Sequence, residues 1–71
     1  MNPNKPLNPL ENREIIIEFH PVGNLVKVAA MDTATLIEIS IQGPKTASEE
    51  TLKRNALKRL EYVLRKRGFL E

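Results

Sequence analysis

The stretch EIIIEFHPVGNLVKVAAMDTATLIEISIQ, residues 14–42, decides the fold. Its Ile, Val and Phe residues alternate with polar or small ones over short runs, which is the pattern of half-buried strands and not of a helix. Two interruptions divide it. Pro21-Val22-Gly23-Asn24 reads as a bend in which Gly23 can take a positive φ, and Asp32-Thr33-Ala34-Thr35 reads as a polar connection whose Asp32 carboxylate bonds the turn backbone. The pattern predicts strands over 14–20, 25–31 and 36–42, joined as an antiparallel meander.

Alternation also suggests a register. Pairing Phe19 with Val26 sets Ile17 opposite Val28 and Ile15 opposite Ala30, and sets Ala30, Val28 and Val26 opposite Ile37, Ile39 and Ile41. One face is then apolar throughout. On the other face the same register brings Glu18 beside Lys27, a favourable opposite-charge match.

Gly43-Pro44 ends the third strand, and beyond it Thr46-Ala47-Ser48-Glu49 fits a capping box, with Ser48 as the competing N-cap. The helix it opens is predicted to run to about Arg67, where Gly68 stops it. Leu52, Ala56, Leu60, Val63 and Leu64 recur at helical spacing and form one stripe, with Leu57 at its border. Ala56 allows the helix to approach the sheet closely. The expected fold is therefore α+β: a three-stranded antiparallel meander, β-β-β-α, with the single C-terminal helix packed on one sheet face.

Residues 1–13, MNPNKPLNPLENR, hold three prolines and four asparagines and show no apolar period. They are expected to be a flexible tail on which Leu7 and Leu10 dock weakly at most, with one domain over residues 14–71. The chain has 71 residues and no cysteine, so apolar packing alone must hold the fold, without disulfides or thiolate ligands. A reducing, cytoplasmic address is the expectation. The apolar runs are far shorter than the roughly 20 residues that span a bilayer, and the N-terminus lacks the pattern of a signal peptide.

The residues offer little for catalysis. There is one histidine, His20, at the end of a predicted strand, and neither a nucleophile triad, a glycine-rich phosphate loop nor a metal-ligand spacing accompanies it. No enzyme, cofactor, metal or small-molecule substrate is expected.

Charge is distributed unevenly. Residues 1–52 carry four basic and seven acidic side chains, whereas residues 53–71 carry seven basic and two acidic, so the segments are net −3 and +5. The helix is the cationic element. Lys53, Arg54, Lys58, Arg59, Arg65, Lys66 and Arg67 fall on its solvent sides, and Arg54, Lys58, Arg65, Lys66 and Arg67 are the candidate phosphate contacts if nucleic acid is the partner. Solubility and the helix dipole also favour such residues there, and Glu50–Arg54 and Glu61–Arg65 have the spacing of intrahelical ion pairs. A second surface is the outer sheet face, where Ile16, Ala29, Met31 and Leu36 fall together as a candidate partner patch beside two unpaired strand edges.

Residues 18–68 resemble a family of short uncharacterised alphaproteobacterial proteins, a domain of unknown function. The resemblance rests on the VGN turn, VKV in the second strand, the DTAT connection, the GP stop and the LKRLEYVLRKRG ending. It implies a bacterial, cytoplasmic protein and carries over no activity and no site residues. The expected function is thus that of a small non-catalytic interaction module that binds a protein partner or itself. The alternative is an accessory nucleic-acid-binding protein that uses the basic helix face.

Overall fold

A computed structural model describes residues 9–70. Three strands, β1 (Ile15–Val22), β2 (Leu25–Asp32) and β3 (Glu38–Pro44), form one antiparallel sheet in the order β1-β2-β3, and helix α1 (Glu49–Lys66) follows. The α+β meander read from the sequence is the observed fold.

The strand register differs from the expected one by two residues. Phe19 pairs with Val28 rather than Val26, and Ile39 pairs with Ala30 rather than Val28. Glu18 consequently faces Ala29, and Lys27 lies between His20 and Gln42, so Glu18 and Lys27 are not cross-strand partners. The cause is the turn. Val22 pairs with Leu25, which leaves Gly23-Asn24 as a two-residue loop with its positive φ of 60° at Gly23, the residue that bears this conformation without penalty. Pro21 belongs to the strand and not to the bend.

A two-residue slip preserves faces, because the side-chain period of a strand is two. The inner face therefore still gathers Ile17, Ala30 and Ile39 in one row and Phe19, Val28 and Ile41 in the next. Over it, α1 packs on β2 and β3, burying Leu52, Ala56, Leu60 and Leu64 against Val26, Val28 and Ala30. Gly43 makes this approach possible: a β-carbon at that position would collide with the Leu52 side chain.

The second hairpin is closed by Asp32 N, which donates to Ile37 O at 2.9 Å, and by Leu36 N, which donates to Asp32 O at 2.7 Å. The connection between β2 and β3 is thus residues 33–37, and Leu36 lies outside the third strand that the sequence pattern assigns it to. It sits at φ 62° with 71% of its surface exposed. A bulky side chain is strained in that left-handed region.

Both helix ends are capped. Ser48, not Thr46, is the N-cap, its hydroxyl accepting from Thr51 N at 3.1 Å. At the other end Gly68 N donates to Arg65 O and Phe69 N to Leu64 O, with Gly68 at φ 86°, which is the Schellman arrangement.

The described part of the opening segment is packed on the domain. Leu10 is buried within the core cluster, and the boundary expected at Glu14 falls too late. Residues 1–8, Leu7 among them, lie outside the described residues.

Two substitutions test this geometry by urea denaturation. Gly43→Ala is expected to lower stability by about 1–3 kcal/mol, since Leu52 must leave its packed position. Leu36→Asn is expected to raise it by about 0.5–1 kcal/mol, because asparagine tolerates a positive φ and little buried surface is lost.

Candidate functional site

The most constrained polar group lies where the two hairpin ends and the helix end converge. Asp32 closes β2 and is 0% exposed. Its Oδ2 accepts from Arg13 Nη1 at 2.9 Å, from Thr35 N at 3.1 Å and from Thr35 Oγ1 at 2.7 Å. Oδ1 is buried with no hydrogen-bond partner among the described residues, and the bonds to Oδ2 offset the desolvation of the charge. The second Arg13 nitrogen, Nη2, donates to Phe69 O at 2.9 Å, and Thr33 N and Oγ1 donate to Glu14 O. One arginine therefore ties the segment before β1 to the end of β2 and to the turn after α1. Burial raises the Asp32 carboxyl pKa, but the Thr35 hydroxyl and N–H, with the Arg13 guanidinium, outweigh it and hold the group below its ordinary value. This cluster is structural. Its Oδ2 is committed to three intramolecular donors.

The outer sheet face has no layer over it among the described residues. Its cross-strand rows read, from one end, Val22–Leu25–Pro44, His20–Lys27–Gln42, Glu18–Ala29–Ser40 and Ile16–Met31–Glu38. Of the four patch residues expected from sequence, Ile16 and Met31 are direct partners and Ala29 lies one row away, buried between its neighbours. Leu36 does not join them in the ladder, because it belongs to the β2–β3 loop. The face has instead a second apolar end that the sequence reading left out. Val22 and Leu25 are 66% and 47% exposed, comparable with Ile16 at 46%. Between the two ends lie a basic row with Lys27 and a row with Glu18, whose Oε1 is 3.7 Å from His20 Nε2.

The candidate phosphate contacts Arg54, Lys58, Arg65, Lys66 and Arg67 are all exposed on α1 or its cap, but the structure separates them into two stripes. Arg54 and Lys58 line a groove of about 330 Å³ with Leu10, Leu57, Glu50 and Glu61, so carboxylates share that side. Arg65 is engaged by Glu61 at 3.0 Å. Lys66 and Arg67 lie on the other side with Arg59, Tyr62 and Val63, around a groove of about 480 Å³. There the Arg59 guanidinium and the Lys66 ammonium lie 5.4 and 5.7 Å from the centre of the Tyr62 ring. The sequence reading passed over Arg59 and Tyr62 as site residues, although their spacing with Lys66 (i, i+3, i+7) places all three on one helix face.

Among the described residues no group of three or more His, Cys, Asp or Glu side chains could hold a metal ion, and no helix is long and apolar enough to cross a membrane. Residues 12–67 match the family described as "Domain of unknown function (DUF6898)", and the chain belongs to that family. No curated protein matches the chain, and no solved structure does.

The Asp32 cluster has a pH signature. A carboxyl whose folded pKa lies below its unfolded value of about 3.8 contributes stability that is complete above that value and is lost as pH falls through the lowered folded value. Thermal unfolding of the natural chain is therefore expected to weaken below about pH 4, and Asp32→Asn to flatten the acid limb while lowering stability near neutral pH by about 1–3 kcal/mol. An unchanged acid limb in the variant would assign the pH dependence to other carboxylates.

Proposed function

We propose that this protein is a non-catalytic interaction module whose uncovered sheet face pairs with the same face of a second copy. The order of the rows supports this reading. A two-fold axis lying in the interface, perpendicular to the strands and between the Glu18 and Lys27 rows, reverses the row order in the partner. Ile16 and Met31 then meet Val22 and Leu25 of the partner, and the His20–Lys27 row meets the partner's Glu18 row. The face is self-complementary in both hydrophobicity and charge, as a two-fold interface requires. Ala29 and Ser40 keep part of the Glu18 row low, which leaves room for the longer side chains of the partner's His20–Lys27 row. Small domains gain burial in this way that one core cannot supply. The bacterial origin and cytoplasmic address implied by the sequence resemblance belong to the same proposal.

Sedimentation or light scattering across a concentration series tests it. A concentration-dependent dimer is expected, and Met31→Lys is expected to shift it to monomer. Lys27→Glu should weaken the dimer, while combining Lys27→Glu with Glu18→Lys should restore it, because a lysine and a glutamate then lie again on adjoining strands across the axis. A monomer at every concentration, or a dimer indifferent to Met31→Lys, overturns the proposal.

A further inference from the structure

The cationic groove at the C-terminal half of α1 contains one feature that solubility does not explain. Tyr62 is 52% exposed, and its ring is flanked along the helix by Arg59 and Lys66 at 5.4 and 5.7 Å from the ring centre. Arg67 adds a third cation to the lining, Val63 is its aliphatic member, and no carboxylate is among the described lining residues. The helix dipole accounts for basic residues in the last turn, where Lys66 and Arg67 lie. It does not account for Arg59 two turns earlier, nor for a half-exposed aromatic ring over which both the Arg59 and Lys66 cations lie. On the opposite stripe the cations are mixed with Glu50 and Glu61, and one is held by Glu61. Among the described residues, no carboxylate lines the Tyr62 groove.

We propose that the Arg59–Tyr62–Lys66–Arg67 groove binds single-stranded nucleic acid, with one unpaired base taking the place of a cation on the Tyr62 ring and the cations turning onto the adjoining phosphates. Charge complementarity selects a polyanion, and the ring selects among polyanions. A base presents a flat π-face that can lie on an exposed aromatic side chain, and the neighbouring phosphates fall within reach of cations on either side. An acidic polypeptide satisfies the charges but leaves the ring without a role. An anionic membrane surface needs apolar side chains around the cations, and the groove offers only the half-buried Val63. Duplex nucleic acid keeps its bases stacked inside and presents phosphates and base edges but no open base face to the ring. Arg59 and Lys66 are seven residues apart, about 10 Å along the helix axis, so the site is short and holds one or two nucleotides' worth of backbone.

Fluorescence titration of the full chain with a labelled ten-residue oligothymidylate at low salt is the test. Binding is expected, with quenching of the protein's single tyrosine, since Tyr62 is the only tyrosine in the sequence and tryptophan is absent. Three phosphate contacts on a single strand give a fall in affinity of roughly 20-fold between 50 and 200 mM salt. Tyr62→Leu is expected to weaken binding roughly five- to hundredfold, Tyr62→Phe to leave it within about twofold, and Arg59→Glu with Lys66→Glu to abolish it. Lys58→Glu with Arg65→Glu, on the other stripe, should weaken it less than the Arg59 and Lys66 reversal. Circular dichroism of each variant checks that the helix persists. Failure to bind at 20 mM salt overturns the proposal. So does equal binding of polyglutamate, of a duplex of the same length or of phosphatidylserine vesicles, or binding that Tyr62→Leu leaves unchanged. The Lys27 and Glu18 variants touch no residue of the groove, so the short strand's contact with a single groove should survive them even where the dimer is lost, and the two proposals fail independently.

Discussion

The charge of Asp32 is the constraint around which the rest of the chain is arranged. A carboxylate with no exposed surface must be compensated within the protein, and the compensation comes from three places far apart in sequence: Arg13 before β1, Thr35 in the second connection and, through Arg13, the carbonyl of Phe69 after the helix. This joins both hairpins and the helix end at one point. It also explains why residues 9–13 are held on the domain, since the arginine that neutralises Asp32 brings Leu10, three residues earlier, into the core. Removing Arg13 would thus loosen the N-terminal segment and leave a buried charge unpaired, two effects from one side chain.

The same economy governs the two layers. One amphipathic helix of 18 residues covers β2 and β3, and its approach is set by small residues on both sides of the contact, Ala56 on the helix and Gly43 on the sheet. A helix that covers one face cannot cover the other. The outer face is left with its alternate residues in solvent, and those residues are neither uniformly polar nor uniformly apolar. Their order along the strands, apolar at both ends and oppositely charged in the middle, is what allows a second copy to lie on it reversed.

Much of this could be read from the residues alone. The element order, the apolar inner face and the helix stripe follow from periodicity, and periodicity is a local property. Register is not. A shift of two residues returns every side chain to the same face, so the apolar pattern of 15–41 is consistent with both pairings, and the attractive Glu18–Lys27 match favoured the wrong one. The hairpin turn decides it: a two-residue loop at Gly23-Asn24 fixes Val22 against Leu25 and every pair beyond. Leu36 was assigned to a strand because it is apolar and adjoins Ile37, whereas the hydrogen bonds of Asp32 place it in the connection at a positive φ. Leu10 and Arg13 were missed for a different reason. Their partners lie 19 to 56 residues away, and no spacing within the segment signals them. Asp32 was the available sign, an acidic residue beside apolar strands that needs a cation from somewhere.

The two candidate surfaces lie on opposite layers of one thin domain, and this has a consequence for how they act together. If the sheets pair through their outer faces, the helices are carried to the two far sides of the dimer, each with its Tyr62 groove turned away from the interface. Neither groove is then buried by association, and the cationic helices are kept apart, which limits the repulsion that pairing two net +5 segments through their helices would incur. Each groove alone spans only about two helical turns, too short for strong binding to one strand. Two such grooves on a rigid pair can engage separate stretches of the same strand, and the second contact then forms at the high effective concentration set by the first. Association and strand binding are in this arrangement linked by geometry, with no residue shared between them.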